Sequence, residues 1–329
     1  MNGDAPIVAF RDVHKHFAGR MTVFGGTAAV RAVDGISFDV GVGRVLGIAG
    51  ESGSGKSTLA NLLVGLERVT SGEIVVDEHV MGSRPERRLR RAVQMVFQDP
   101  FASLNPRFTV GRSIEEPLVI HGIGTPAERR AQAAAALEKA ELRPGHAFLA
   151  RFPHELSGGQ RQRVAIARAI VLSPKLLVAD EPVSMLDVSV RAGILRLLRR
   201  LVVEEGMAMV FITHDLSIVA HICDDLAVMY RGRIVEQGPV RDLLRVPAHP
   251  YTQALINAVP IPDPAVAAHV LPGKLLAGGT TPAGRGCRFA PRCVHALPAC
   301  ESDDPPSVEV ASGHVAACLR ALELSKAAS

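Results

Sequence analysis

No stretch of the sequence reaches the ~18 apolar residues that a membrane-spanning helix requires. The opening residues, Met1-Asn2-Gly3-Asp4, lack the basic-then-apolar order of a secretory signal. Both absences predict a chain that stays in the cytoplasm and does not cross the bilayer by itself. Charge of one sign is also scarce. The formal net charge is +4 over 329 residues, and this small balance does not point to nucleic acid, which calls for a concentrated basic face. The arginine run Arg84, Arg87, Arg88, Arg90 and Arg91 reads as a solvated helix face rather than a binding patch. There is no internal repeat and no heptad insert. What the chain does have is 47% apolar residues, enough for a sizeable core and against wholesale disorder. Its length fits one large α/β domain with a smaller appendage, or two modest domains.

Short apolar segments alternate with helical patterns. Strands are predicted at Ile7–Phe10, Ile36–Val40, Val45–Ala49, Ile74–Val76, Val93–Phe97, Leu176–Ala179, Val210–Thr213 and Leu226–Met229. Helices are predicted from about Ser57 to Leu66, over the Ala/Glu/Arg-rich Ala127–Leu142, from Ser157 to Leu172, and over Arg191–Val203. In the last of these, Ile194, Leu197, Leu198 and Leu201 share one side, the side expected to pack on the sheet. This alternation predicts an α/β fold with a mainly parallel sheet and helices on both faces. Prolines 260, 262, 264 and 272, followed by Gly278-Gly279, place a boundary after about residue 250.

Three motifs carry chemistry. Gly50-Glu51-Ser52-Gly53-Ser54-Gly55-Lys56-Ser57 matches G-x-x-x-x-G-K-[ST] between a buried strand and a helix. Gly50, Gly53 and Gly55 let the backbone curl close to a polyphosphate, and the amides around Ser52 and Thr58 join the positive helix start in facing it. Lys56 would reach the β- and γ-phosphates, and the Ser57 hydroxyl would bind Mg²⁺. The strand Leu176–Ala179 runs into Asp180 and Glu181. Asp180 suits Mg²⁺ and Glu181 suits the attacking water; alternation along a strand would send the two carboxylates to opposite sides. The third motif is Leu156-Ser157-Gly158-Gly159-Gln160, a serine N-cap followed by free amides fit to receive a γ-phosphate.

With these residues in place, the chain resembles the ABC ATPases of the P-loop NTPase class from about residue 7 to 250, with a helical subdomain at about 100–172. The resemblance implies that Gln98 is the Q-loop glutamine, touching Mg²⁺ and the attacking water. It implies that Asp187 is the D-loop aspartate and His214 the switch histidine that contacts the γ-phosphate. Glu181, His214 and Gln98 are then the catalytic group. Nucleotide is held by the phosphate loop, Asp180, Asp187, and Ser157, Gly158, Gly159 and Gln160 of an opposing subunit, in a head-to-tail dimer that ATP closes. Met185 departs from the usual Ser-Ala-Leu-Asp of the D-loop. Phe17 is the candidate for stacking on adenine, with a core role as its alternative, because Ala18–Val30 looks like a long insertion just after it.

A narrower resemblance rests on Gln98-Asp99-Pro100-Phe101-Ala102-Ser103-Leu104-Asn105-Pro106 and on His249-Pro250-Tyr251-Thr252 with the tail beyond. Both look like the oligopeptide/dipeptide permease ATPases, whose nickel and glutathione relatives share them. It implies a peripheral subunit at the cytoplasmic face of the inner membrane, two permease subunits, a second related ATPase and an extracytoplasmic binding protein, with no nucleic acid. The loop after Gln98 is the expected seat of a permease helix. Residues 251–329 form the tail, with Cys287, Cys293, Cys300 and Cys318 spaced C-x5-C-x6-C-x17-C. Four thiolates can hold zinc or an iron–sulfur cluster, or stay free and buried. The tight pairs usual for zinc are missing, and the resemblance is consistent with a 4Fe–4S cluster. Cys223 stands apart as a core residue. The rivals are a soluble ABC ATPase acting on nucleic acid, which would carry two cassettes or a coiled-coil insert, and a module that binds ATP without hydrolysing it, which Glu181 and His214 argue against.

Overall fold

The computed structural model describes residues 5–18, 21–22, 25–26, 30–82, 86–258 and 285–328. The Pro260–Gly279 boundary and most of the Ala18–Val30 insertion lie outside them. An eight-stranded sheet forms the spine. At its centre Val45–Ala49, buried along its whole length, lies parallel to Ala208–Thr213 and Asp225–Tyr230. Leu176–Asp180 and Val93–Val96 continue in parallel on one side. Continuous apolar runs in these strands follow from burial of both faces.

The expected mainly parallel sheet is thus the middle of a mixed one. On the other side Arg233–Pro239 turns back antiparallel to Asp225–Tyr230, and His314–Ala317 and Ser307–Ala311 extend that edge. The tail therefore joins the sheet that carries the phosphate loop. Its attachment is polar and buried: the Glu236 carboxylate accepts from the amides of Ala248 (2.7 Å) and His249 (3.0 Å) and pairs with His314 Nε2 at 2.7 Å. Both Glu236 and His314 are 1% exposed.

The N-terminal strands make a second, antiparallel sheet. Val8–Phe17 lies between Val30–Val40 and Ser71–Val76. Its apolar face, including Val8, Phe10, Ile36 and Ile74, packs with Leu59, Leu62 and Leu63 of the helix Lys56–Leu63 and with one face of the large sheet. Helices Val110–His121, Pro126–Lys139 and Gly158–Ile170 form a helical arm whose core merges with that of helix Val188–Glu205. The arm's starts are capped: Thr109 accepts from the Arg112 amide, and Thr125 and Glu128 bond each other's backbone reciprocally. Cys223 packs against Gly47, and burial pushes its thiol pKa well up, as suits a core residue. Among the described residues, no helix is long and apolar enough to cross a membrane.

Candidate nucleotide site

The buried strand Val45–Ala49 delivers the chain into the glycine loop. Two glycines have no substitute there. A Cβ at Gly50 would stand 2.1 Å from the Met229 carbonyl oxygen, and one at Gly55 (φ +105°) would stand 2.1 Å from that of Ala32. Inside the loop lies the Lys56 ammonium, which donates to the carbonyls of Gly50 (2.7 Å) and Glu51 (2.8 Å). Burial draws the Lys56 pKa below the usual lysine range, against the opposing pull of Glu181, Asp180 and Glu51. Ser57 is exposed at the helix start and Thr58 half-buried beside it; Ser52 and Gly53 form the open rim.

Asp180 ends the neighbouring strand. Burial and the adjacent Glu181 push its pKa up to about 6, Lys56 pulling the other way. Glu181 is not a continuation of the strand. It takes φ +47° while its amide donates to the Ile212 carbonyl at 2.9 Å, a backbone state costly for a non-glycine residue. Alternation along the strand therefore does not explain the separate directions of the two acids; the left-handed turn at Glu181 does. That turn sets its carboxylate between the Gln98 side-chain amide, which donates at 3.0 Å, and His214 Nδ1 at 2.9 Å. Gln98 follows the strand Val93–Val96 and His214 follows Ala208–Thr213. Three strand ends and the phosphate loop thus bring Lys56, Asp180, Glu181, Gln98 and His214 to one rim, as open α/β sheets do at the carboxyl ends of their strands.

Ser157 caps its helix: its hydroxyl accepts from the Gln160 amide at 3.3 Å, and the Gln160 side chain accepts from the Ser157 amide at 3.0 Å. A Cβ at Gly159 would stand 2.7 Å from Val190 Cγ1, and one at Gly158 would stand 3.7 Å from Leu186. This motif therefore packs against the chain around Asp187, which precedes helix Val188–Glu205. Met185 and Val188 flank Asp187 with 57% and 79% of their surface open. Phe17 is 38% exposed with Lys15 Nζ 4.8 Å from its ring centre, so it is not a core residue.

Sequence reasoning missed three residues at the loop. The Glu51 amide donates to Tyr251 Oη at 2.8 Å, and the Glu51 carboxylate accepts from both terminal nitrogens of Arg292 at 2.8 Å. The His249–Thr252 motif was the available signal: His249 caps the helix Pro250–Asn257 and Tyr251 points back to the loop.

The tail brings its four cysteines into mutual electrostatic range. Cys293, Cys300 and Cys318 sulphurs accept backbone amides of His295, Leu297 and Arg320 at 3.3–3.4 Å, and the Ala290 amide donates to the Cys287 carbonyl at 3.0 Å. Burial pushes the Cys318 thiol up to about 11 and raises Cys287 and Cys293 as well. Among the described residues, no three of these sulphurs lie within 4.8 Å of one another. Tetrahedral zinc needs thiolates ~3.8 Å apart, from its ~2.3 Å bonds.

Among the described residues, the ligand atoms that do lie within 4.8 Å of one another belong to the cluster of His14, His16 and Asp34. Its carboxylate is already taken, since Arg288 and Arg233 both pair with Asp34. Burial alone would raise the Asp34 pKa, but Arg288, His14 and His16 outweigh it and hold it at about 2. The cluster reads as an anchor for the tail.

Fold and rim together define a phosphate-loop nucleoside triphosphatase. Residues 33–184 match the family model "ABC transporter", and residues 235–300 match "Oligopeptide/dipeptide transporter, C-terminal region". The chain is 44% identical to the di/tripeptide transport ATP-binding protein DppF of Pseudomonas aeruginosa, covering 91% of this chain and 93% of that one. It is 43% identical to the oligopeptide transport ATP-binding protein AppF of Bacillus subtilis, covering 95% and 96%. The dimeric post-hydrolysis structure of the ATP-binding cassette MJ0796, bound to ADP and Pi, superposes with a TM-score of 0.61 at 32% identity, over 71% of this chain and 99% of that one. The chain belongs to the ABC transporter ATP-binding proteins, in the branch with the oligopeptide/dipeptide transporter C-terminal region. It is an ATP-hydrolysing subunit of a transporter.

Proposed function

We propose that this chain powers an importer of oligopeptides or dipeptides, with residues 1–250 as the ATPase domain, about 100–172 its helical subdomain, and 251–329 the tail. The observation that carries the reading is the Glu181 carboxylate, held between Gln98 and His214 on the same rim as Lys56 and Asp180.

Lys56 leaves the loop carbonyls for the phosphates when ATP arrives, and the amides of Gly50 to Thr58 cradle them. Mg²⁺ would be held by Ser57, Gln98 and Asp180, neutralising charge on the β- and γ-phosphates. Glu181 orients and polarises water, and His214 contacts the γ-phosphate. Ser157, Gly158, Gly159 and Gln160 of an opposing ATPase, related rather than identical, close the site, with Asp187 at the same interface. The exposed Met185 and Val188 suit that position. Phe17 stacks on adenine, since its ring is open to solvent.

A groove of about 430 Å³ lies beside Gln98, lined by Leu66, Met95, Phe97 and Ala169 among others. Leu66 and Phe97 are 66% and 42% exposed there. It is the seat we assign to a helix of one of two permease subunits, on the cytoplasmic face of the inner membrane, with a binding protein delivering cargo outside. We assign the four cysteines to a 4Fe–4S cluster, with zinc as the alternative: that no three of their described sulphurs lie within 4.8 Å of one another speaks against a single zinc. Bound there, the cluster would cross-link the tail.

The test is transport by the assembled complex in vesicles. ATP hydrolysis accelerated by peptide-loaded binding protein, and abolished with ATP still bound in Glu181→Gln, is the expected result. Stimulation by nickel and not by peptide would overturn the cargo, and undiminished hydrolysis in Glu181→Gln would overturn the catalytic assignment.

A further inference from the structure

The phosphate loop is braced from outside its own strand and helix. Glycines at 50, 53 and 55 give the loop its curl and also its freedom. Lys56 holds two of its carbonyls from within, but that ammonium must turn to the phosphates when nucleotide binds. What remains is supplied by chain beyond residue 250. Tyr251, 0% exposed, holds the Glu51 amide through its hydroxyl. Arg292 forks the Glu51 carboxylate with two parallel 2.8 Å bonds, the geometry in which guanidinium and carboxylate fix each other's orientation.

Arg292 is itself set in place. It ends the short turn Ala290–Arg292, and its guanidinium lies 5.5 Å from the Phe289 ring centre and 5.8 Å from that of Tyr230. Phe289, Tyr230 and Tyr251 pack on one another, with centres 4.5–5.4 Å apart. The pair is largely withdrawn from water on the arginine side, with Arg292 17% exposed against 42% for Glu51. A Glu51 without this partner would be a loose anion at the mouth of a site built for a triphosphate.

We propose that Arg292 and Tyr251 are positioning residues for ATP: they hold Glu51, and with it the entrance of the phosphate loop, in the nucleotide-receiving curve. The inference rests on the reading that Gly50–Ser57 is the ATP site. It makes affinity for nucleotide depend on how the tail is seated, and gives the Cys287–Cys293 turn a direct mechanical path to the phosphates.

The experiment titrates the full chain with a fluorescent N-methylanthraniloyl ATP and Mg²⁺, alongside thermal unfolding of each variant. Arg292→Ala is expected to raise Kd about tenfold, ~1.4 kcal/mol of lost binding. Glu51→Gln alone keeps a weaker bond to Arg292 and costs about threefold. Added to Arg292→Ala it finds no bond left to weaken and removes the bare charge, so the double variant binds no worse than Arg292→Ala alone. Tyr251→Phe keeps the packing and loses one oxygen, with a Kd rise of about threefold to fivefold. An Arg292→Ala Kd within twofold of wild type, or effects that multiply in the double variant, would overturn the proposal, and a lowered melting point with unchanged Kd would leave Arg292 a mere staple. Lys56→Ala separates the two readings: if it binds nucleotide like wild type, the ATP-site assignment fails first.

Discussion

Asp180 should destabilise the resting protein that it serves. Its pKa stands at about 6 where an unfolded chain would have 3.8, because it is buried beside Glu181. At 1.36 kcal/mol per tenfold in proton affinity, ionising it in the fold costs roughly 3 kcal/mol. Residual solvent contact and sharing of the cost with Glu181 bring the expected gain from Asp180→Asn to about 1–3 kcal/mol at pH 7.5. The sign follows from linkage. Below 3.8 the carboxyl is protonated folded or unfolded, so it costs nothing. Between 3.8 and 6 the folded state holds the extra proton, and wild-type stability falls as pH rises. Above 6 the loss is complete and constant. Urea unfolding without nucleotide, at several pH values, reads this directly: a shift of about half a molar in midpoint at pH 7.5, about half of that at pH 5, and about a fifth of it near pH 4. The same variant should lose Mg²⁺-dependent turnover. Equal stability of the two proteins at pH 7.5, or a gain that does not shrink with acid, would refute the reasoning.

Two further outcomes are expected. Glu236→Ala strips a partner from His314 and from two amides, all buried, and should lower stability by about 3 kcal/mol or more in chemical denaturation. Anaerobically purified protein should carry iron and visible absorbance that Cys300→Ser removes, with backbone helicity otherwise retained by circular dichroism; a colourless, iron-free wild type would sink the cluster.

Much of this site was legible in the sequence because its chemistry is written in short contiguous motifs. The phosphate loop, the Asp180-Glu181 strand end and the Leu156–Gln160 helix start each declare themselves locally. Gln98 and His214 needed a family frame, since a lone glutamine or histidine after a strand carries no signal of its own. The parallel strands stood out as apolar runs. Parts of Val8–Phe17, Val30–Val40 and Ser71–Val76 stood out too, but their pairing into a separate antiparallel sheet did not, because they pair across large gaps and carry polar outer faces. Nor did the left-handed turn at Glu181, which tertiary contacts impose on a residue with no preference for it. The Glu51–Arg292 pair spans 241 positions, and no local pattern announces a contact at that range.

The tail strands also decide what a shortened chain would look like. His314–Ala317 pairs with Glu236 and Gln237 on the outer side of Arg233–Pro239, and Ser307–Ala311 lies beyond it. Cut the protein after the ATPase domain and those hydrogen-bonding groups face open water, beside a glutamate whose buried histidine has gone. Bare edges of this kind recruit neighbouring molecules strand to strand. A truncated ATPase should therefore cluster in solution, its insolubility arising from an unzipped sheet margin and not from any failure of the nucleotide fold.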